Sequence, residues 1–499
     1  MTSLKQQSAK AVAWDFAGKI AGQTVSFVIS IFLARLLSPE DFGLLAMANV
    51  VIALSSSLID MGLGVALIQR KDVSDAHYGS VFFFNITLGL FLTLTLFFCA
   101  PLVAKFYDRE ILLPIVRAMS VLFLLSSIGN VIRSKLRKEL EYGIPTKGSL
   151  ISAMISGTVG VTMAFCGFGV WSLVTQALIN PVISNVYLFY KVKWRPKLIF
   201  KWQALKELWG FGFRMFLSGV LDTLTTNADS LIIGKIFSEA TLGFYYRARS
   251  LNNYIVQYSS RSIMSVLMPA FSKIHNDLEH FRSVIFRGYH IINFLAFFLT
   301  GLFFVIGDAL ILFLFGEKWE EAIPMFRLII LTAYGYPLSS LLVNILSASG
   351  NSKAFLRLEI IKKIASISAL ALGFFWGIKG YLICKIFATL IGIYFNMLFA
   401  GKQIKTNVWY FIKISLQYLI VAGLFASGLF LGLKYLHVSN FIQIVTGTIL
   451  FSFFFTGVAW LLKLQGIVQI VNEIKGIEKI QRFLPKRWRT TKSSKEGNR

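Results

Sequence analysis

The stretch ARLLSPEDFG at residues 34–43 recurs as GKIFSEATLG at residues 234–243. In each copy an apolar run ends beside a basic residue, and a serine and a glycine follow at the same spacing. The two copies predict an internal repeat of about six helices; since this number is even, the halves would be parallel, related by an axis along the membrane normal. Chance similarity between apolar sequences is the alternative. Upstream, two further sets of residues match in order: Trp14, Phe16 and Lys19, and Trp209, Phe211 and Arg214.

The composition is that of a membrane protein. Of the 499 residues, 56% are hydrophobic and only 15% are charged, whereas soluble globular proteins carry about 25% charged residues. The formal net charge is +26. In a membrane protein such an excess is expected in cytoplasmic loops, where it meets anionic headgroups. Membrane lipids are therefore expected partners, and nucleic acid is not.

Apolar stretches long enough to cross a bilayer, about 20 residues each, recur along the whole chain. They predict an all-α integral membrane protein with about fourteen transmembrane helices, and a count of about twelve or thirteen is the alternative. The predicted spans are residues 11–36, 43–68, 78–100, 111–132, 148–167, 169–190, 208–234, 242–265, 284–306, 323–347, 358–376, 379–400, 409–433 and 440–462.

The charges of the loops indicate the orientation. If the N-terminus is inside, the inner loops hold most of the basic residues, including Arg133, Lys135, Arg137 and Lys138, and the outer loops hold few. This alternation persists along the chain. It predicts a multi-pass membrane protein with both termini in the cytoplasm and an even number of spans.

The repeat and the spans together predict the domain organisation. Two six-helix lobes would be followed by two extra C-terminal helices, and an amphipathic, basic segment would lie on the cytoplasmic surface. The predicted boundaries are residues 1–200 for the N lobe, 201–402 for the C lobe, 403–463 for the extra helices and 464–499 for the cytoplasmic tail.

Four predicted helices carry polar side chains at helical spacing, so each set would form one stripe. Because charges inside a bilayer are costly, the stripes are expected to line a wet cavity between the lobes. Their basic members would bind a diphosphate, since Arg matches phosphate oxygens and Lys adds a point charge. The predicted substrate-binding residues are Lys19, Gln23, Arg214, Arg249, Asn253, Gln257 and Arg261.

The same stripes contain carboxylates that would balance the basic charge or bind a coupling cation. Snorkelling to the headgroups is the alternative for the basic side chains, whereas a short carboxylate reaches less far. The predicted charge-balancing or coupling residues are Asp15, Asp60, Asp222 and Asp229.

The sequence predicts no catalytic, metal or cofactor site. The three cysteines lie in apolar runs, and no CxxC or HExxH spacing occurs. No loop is long enough for an extramembrane domain of the kind that membrane glycosyltransferases usually carry. The chain is therefore predicted not to be an enzyme.

Three motifs resemble a known family: Trp14-x-Phe16-x-x-Lys19, residues 34–43, and Asp60-Met61-Gly62-Leu63-Gly64 with Ile68-Gln69-Arg70. They resemble bacterial polysaccharide flippases of the O-antigen type, which belong to the multidrug/oligosaccharidyl-lipid/polysaccharide (MOP) exporter superfamily. The resemblance implies two lobes in a V shape, with helices one, two, seven and eight lining the cavity. It carries over no individual site residue.

The resemblance also implies a function. The expected substrate is an oligosaccharide repeat unit on undecaprenyl pyrophosphate, flipped from the cytoplasmic to the periplasmic leaflet by alternating access for surface polysaccharide biosynthesis and export. Polysaccharide polymerase machinery is a candidate partner. The alternative is a drug or metabolite exporter of the same fold, driven by a cation gradient and with a more acidic cavity. A non-transporting lipid scaffold would not need charged stripes.

Overall fold

The computed structural model describes residues 4–197, 199–254, 256, 278–348, 352–435 and 438–472, and all regular structure in these ranges is helical. The predicted all-α class is confirmed. The helices are α1 Leu4–Leu36, α2 Pro39–Asp60, α3 Leu63–Gln69, α4 Asp75–Tyr107, α5 Leu112–Lys138, α6 Gly143–Phe165, α7 Val170–Lys191, α8 Trp202–Ile236, α9 residues 239–254, α10 Leu278–Phe315, α11 Ala322–Ile330, α12 Gly335–Ala348, α13 Ser352–Gly373, α14 Gly377–Gln403, α15 Val408–Tyr435, α16 Asn440–Leu461 and α17 residues 465–472.

The described residues contain 10 helical stretches that are long and apolar enough to cross a membrane. One of them, Lys353–Gln403, contains both α13 and α14. The second, seventh and eighth predicted spans are not among the ten, and the eighth extends beyond the described residues. The protein is thus a multi-pass membrane protein, and the count of fourteen stays a prediction. Of the predicted tail, residues 473–499 lie outside the described ranges.

The chain forms two compact units. Unit 1 comprises Met1–Arg247 and Leu314–Glu321, and unit 2 comprises Ala248–Phe313 and Ala322–Arg499. In unit 1, α4 packs on α5, α6 packs on α7 and α1, and α8 packs on α2. These units are defined by packing and the predicted lobes by the repeat, so the lobe boundaries stay a prediction.

Unit 2 has an aromatic core. Phe451 and Phe455 of α16 are fully buried and pack against α10, with the rings of Phe294 and Phe455 5.3 Å apart. Gly301 of α10 lies beneath the Phe451 ring, where a Cβ atom would come within 2.4 Å of Cζ. Because a side chain at Gly301 would displace this ring, α10 and α16 approach closely only with glycine here.

The repeated serine begins a helix in both copies. Ser38 is the N-cap of α2, and it forms a capping box with Asp41. In the second copy, the backbone N–H of Thr241 donates to Ser238 Oγ over 3.2 Å at the start of α9. A serine hydroxyl satisfies one of the N–H groups that a helix leaves free at its N-terminus. Helix capping therefore explains why serine recurs at this position.

Replacing the capping serine should weaken unit 1 moderately. We expect Ser38→Ala to reduce the stability of the folded protein by about 0.5–2 kcal/mol, because the first turn of α2 loses its acceptor. Thermal unfolding of the purified chain in detergent measures the change. Ser427→Ala is the control, since the Ser427 hydroxyl donates only to carbonyls of its own helix. Equal melting temperatures for the two variants would contradict the assignment of Ser38 as a stabilising cap.

The repeated glycine brings α2 and α9 into backbone contact. A Cβ atom at Gly43 would lie 1.8 Å from the Glu239 carbonyl oxygen, and one at Gly243 would lie 1.9 Å from the Pro39 carbonyl oxygen. Each glycine thus faces the first turn of the other helix, at equivalent positions of the repeat. Only glycine permits so close an approach.

The short segment after α10 caps the C-terminal end of α1. The Trp319 indole N–H donates to Ala34 O over 2.8 Å, and the Lys318 ammonium donates to Arg35 O over 2.7 Å and to Leu37 O over 2.6 Å. Ala34 and Arg35 lie in the last turn of α1, where carbonyls lack intrahelical donors, and Leu37 follows the helix directly. Burial lowers the pKa of the Lys318 ammonium, and the Asp41 carboxylate acts in the opposite direction.

An arginine lies buried among aromatic rings in the same region of unit 1. The Arg247 guanidinium carbon is 4.3 Å from the centre of the Phe42 ring, 4.7 Å from that of Phe315 and 5.1 Å from that of Trp319. Each ring face attracts the cation electrostatically. The beginning of α2, the middle of α9, the end of α10 and the segment that follows α10 are therefore joined by one cation–π cluster.

Candidate functional site

Unit 1 contains a polar cavity of about 380 Å³. Its volume is within the range of about 300–1,000 Å³ that is usual for small-ligand sites. Side chains from α1, α5, α6 and α7 line it, together with the residue before α6. The lining residues are Gly18, Lys19, Gly22, Gln23, Arg133, Arg137, Tyr142, Pro145, Thr146, Ser149 and Ser184.

Close packing of α1 on α6 places the α1 residues at this cavity. Gly18 faces Thr146, and a Cβ atom there would come within 2.1 Å of Thr146 Cγ2. Lys19 and Gln23 follow Gly18 and Gly22 and lie one turn apart, so both side chains reach the same side of α1. Lys19 is exposed and Gln23 is partly buried. A cation and an amide therefore enter the cavity from this helix.

The other two cations of the cavity come from the last turns of α5. Arg133 and Arg137 are one helical turn apart and lie on the same face. The Arg133 Nη2 group donates to Ser184 Oγ over 3.0 Å and to Asn185 Oδ1 over 3.1 Å, both on α7. Within the described residues, neither arginine has a carboxylate oxygen within 4.0 Å. The Arg133 guanidinium is thus held by neutral groups.

This arrangement can bind an anion. Three basic side chains converge from two helices, and arginine guanidinium groups can hydrogen-bond phosphate oxygens in pairs. Hydroxyl and amide groups surround them and could bind the hydroxyls of a sugar or further phosphate oxygens. The described residues contain no group of three or more His, Cys, Asp or Glu side chains that could hold a metal ion.

The structure brings two of the predicted site residues, Lys19 and Gln23, to this cavity. The side chains of Asp15, Asp60 and Arg214 and the whole of Gln257 and Arg261 lie outside the described part of the chain. The remaining predicted residues occupy α8 and α9 and do not line the cavity: Asp222, Asp229, Arg249 and Asn253.

Asp229 is buried within unit 1 and is hydrogen-bonded there. Its side chain is 9% exposed, and Oδ2 accepts a hydrogen bond of 3.0 Å from the Tyr245 hydroxyl of α9. Asp222, by contrast, is exposed on α8, two turns nearer the N-terminus of the helix. The two carboxylates of the predicted stripe therefore differ in their surroundings, although they share one helix face.

The sequence prediction missed Arg133 and Arg137. It ended the fourth span at residue 132 and placed both arginines in an inner loop, but α5 continues to Lys138. The continuation is physically reasonable, because residues 133–138 contain no glycine or proline that would end the helix. Their spacing of four was the available signal, since it predicts one basic face on any helix that continues through them.

Comparison with known sequences shows which family and which relatives the chain matches. A family model described as "Polysaccharide biosynthesis protein" matches residues 32–324. The lipopolysaccharide biosynthesis protein WzxC of Escherichia coli is 26% identical over 445 residues, which are 84% of this chain and 88% of that protein. The succinoglycan biosynthesis transport protein ExoT of Rhizobium meliloti is 27% identical over 72% of this chain and 73% of its own.

Solved structures share the fold. The lipid II flippase MurJ in its inward closed conformation superposes with a TM-score of 0.71 at 17% identity, covering 90% of this chain and 99% of that one. An inward-facing multidrug resistance transporter of the MATE family, from the MOP superfamily, gives a TM-score of 0.59 at 14% identity, covering 77% and 96%. The family model spans more than half of the 499 residues, and this chain therefore belongs to the polysaccharide biosynthesis protein family.

Proposed function

We propose that this chain is a flippase for lipid-linked oligosaccharides. It moves undecaprenyl-pyrophosphate-linked repeat units from the cytoplasmic to the periplasmic leaflet of the bacterial inner membrane by alternating access, for surface polysaccharide biosynthesis. The single observation that carries the proposal is the cavity of unit 1, which holds Lys19, Arg133 and Arg137. A diphosphate is the anion that such a lipid carrier presents.

The chemistry of the cavity matches both parts of the headgroup. Basic side chains compensate the diphosphate charge, and a charge-assisted hydrogen bond to phosphate is stronger than a neutral one. Gln23, Tyr142 and Ser149 offer hydrogen-bonding groups of the kind that sugar hydroxyls need. A cationic drug would meet repulsion from the three bases, so the cavity disfavours the exporter alternative.

The relatives support this assignment by their names alone. They concern the biosynthesis or transport of surface polysaccharides, and the structural neighbour MurJ is called a lipid II flippase. The loop charges support an orientation with both termini in the cytoplasm. A polymerase that consumes the flipped unit is a proposed partner.

The residues of the polar stripes complete the proposed transport route. Lys19 and Gln23 contact the substrate in the cavity of unit 1, and further basic and amide side chains contact it elsewhere along the route. The carboxylates balance the charge of the empty transporter or bind a coupling cation. The additional proposed substrate contacts are Arg214, Arg249, Asn253, Gln257 and Arg261, and the proposed carboxylates are Asp15, Asp60, Asp222 and Asp229.

Removal of the α1 cation tests the proposed function. We expect Lys19→Ala to lower export of the surface glycan about fivefold in a complemented deletion strain, since an exposed charge pair contributes up to about 1 kcal/mol. Surface glycan per cell is measured at equal protein abundance. Lys434→Ala, an exposed lysine at the end of α15, is the matched control. Normal export by Lys19→Ala would remove this residue from the transport route.

Labelling of single cysteines tests whether the polar face of α8, which contains Ser218, Asp222 and Thr225, is accessible to water. In a chain without its three native cysteines, we expect Ser218→Cys, Asp222→Cys and Thr225→Cys to react with a membrane-impermeant thiol reagent, because these positions are exposed and a water-filled route admits the reagent. Ser230→Cys and Ile233→Cys, at buried positions, are the protected controls. Uniform protection would mean that α8 faces lipid at these positions.

A further inference from the structure

We infer that Arg133 is the principal phosphate ligand of the cavity and that a small network of neutral residues positions it for that role: Gly129, Ser184 and Asn185. The inference rests on the proposed function and assigns the diphosphate to a defined subsite at the end of α5. It places this subsite within unit 1, between α5 and its neighbours in that unit.

The guanidinium of Arg133 is fixed from one side. Ser184 Oγ and Asn185 Oδ1 accept hydrogen bonds from Nη2, and Asn185 Nδ2 donates in turn to Leu125 O over 2.6 Å. Ser184 and Asn185 are 7% and 6% exposed. Because both groups of Asn185 are engaged, its amide orientation is determined and its oxygen points to Arg133.

A glycine provides the space for this network. A Cβ atom at Gly129 would lie 2.1 Å from Asn185 Oδ1 and 2.5 Å from Arg133 Nη1. Gly129 precedes Arg133 by one turn of α5, so the guanidinium folds back over it. Any side chain here would push the amide and the guanidinium apart.

This placement distinguishes Arg133 from a snorkelling arginine. A snorkelling side chain extends its charge to the headgroups, whereas Arg133 directs its Nη2 group to buried acceptors of α7. The described residues give it no other acceptor, so its remaining N–H groups are available to a ligand in the cavity. A cation held by neutral partners keeps its full attraction for an anion.

Arg137 and Lys19 complete the subsite from the more open side. Both are exposed at the cavity. They would add charge to the bound phosphate groups, and their exposure leaves their geometry less fixed than that of the Arg133 guanidinium. We therefore expect Arg133 to contribute the larger share of affinity.

Binding of inorganic pyrophosphate to the purified full-length chain in phosphatidylcholine nanodiscs tests the subsite. Calorimetric titration should show at least about tenfold weaker binding for Arg133→Gln, because the variant loses the charge-assisted hydrogen bonds between the guanidinium and the phosphate oxygens. Arg117→Gln, on the same helix but not lining the cavity, should bind as the parent does. Unchanged binding by Arg133→Gln, or equal loss in Arg117→Gln, would overturn the inference.

A second variant tests the positioning network without removing a base. Asn185→Asp keeps the shape of the side chain but places a carboxylate against Arg133, where it neutralises the charge. We expect pyrophosphate binding to weaken about tenfold, since Arg133 then has a competing anion. The carboxylate cannot replace the hydrogen bond that Asn185 Nδ2 donates to Leu125 O, so the thermal midpoint of the variant is measured beside its binding, and binding is compared for folded protein only. Parent-like binding by Asn185→Asp would show that Arg133 is not the phosphate ligand.

The same titration distinguishes two sources of phosphate. If the subsite takes the diphosphate of a lipid carrier, the parent should also bind pyrophosphate in phosphatidylglycerol discs. Its affinity there should fall by no more than the affinity of Arg133→Gln falls in phosphatidylcholine discs. If binding is abolished only in those discs, a membrane phospholipid headgroup occupies the subsite and the inference fails. Glycan export distinguishes failure of the phosphate subsite from failure of the proposed flippase function. If the parent bound pyrophosphate normally but exported no glycan, the flippase function would be contradicted and the subsite would stand.

Discussion

Replacing Gly43 with alanine is expected to remove most of the folded protein. The new Cβ atom would lie 1.8 Å from the carbonyl oxygen of Glu239, which is backbone and cannot rotate away. The beginnings of α2 and α9 would have to separate. Overpacking of this kind lowers the stability of the folded state by about 3 kcal/mol. Gly243→Ala should have a similar effect, because it meets Pro39 O in the same way. Fluorescence-detected size exclusion of the tagged chain measures the folded fraction.

Gly423→Ala is the matched control for this experiment. A Cβ atom at Gly423, in α15, has no neighbour within 4 Å, and alanine is favoured over glycine in a helix by about 1 kcal/mol. This variant should therefore retain the parent's folded fraction or exceed it. If Gly43→Ala and Gly423→Ala gave equal folded fractions, the close contact between α2 and α9 would be contradicted.

The second large effect is expected for Trp319→Ala. Trp319 is fully buried, and its ring lies 5.4 Å from that of Phe42 and 6.0 Å from that of Phe244. The substitution removes this packing, the hydrogen bond to Ala34 O and one of the rings around the Arg247 cation. Truncation of a buried aromatic residue typically costs about 3–5 kcal/mol. A fall in the thermal midpoint of the purified chain measures the loss.

Trp376→Ala serves as its control, because the Trp376 side chain is 71% exposed. A conservative variant separates the contributions. Trp319→Phe keeps an aromatic ring but loses the indole N–H, so we expect it to recover part of the stability. A midpoint for Trp319→Ala equal to that of Trp376→Ala would contradict the anchoring role of the segment after α10.

The sequence alone predicts the class of the fold because membrane helices leave a strong signal. Repeated apolar runs of about 20 residues are typical of helices that cross a bilayer, and the helical architecture agrees with them. The repeat at residues 34–43 and 234–243 was also readable. The reason for the repeated glycine was not readable, because the reciprocal contacts of Gly43 and Gly243 become visible only when α2 and α9 are seen together.

The candidate site could be predicted only in part. Lys19 and Gln23 lie at the cavity of unit 1, whereas the predicted cavity between the lobes stays a prediction. Arg133 was missed because a basic residue after an apolar run usually marks a cytoplasmic loop. Its partners Ser184 and Asn185 are on another helix, and a pattern within one helix contains no information about such a contact. Long-range side-chain geometry therefore limited the prediction.

Transfer of a lipid-linked oligosaccharide between leaflets tests the central claim most directly. The purified chain is reconstituted into liposomes that contain undecaprenyl-pyrophosphate-linked oligosaccharide, and a glycan-modifying enzyme outside the liposomes reports the fraction of substrate in the outer leaflet. With a flippase, all of the substrate should become accessible over time, and Arg133→Gln should slow this process about tenfold. If folded parent protein left the inner-leaflet substrate inaccessible, as empty liposomes do, the proposed function would be contradicted.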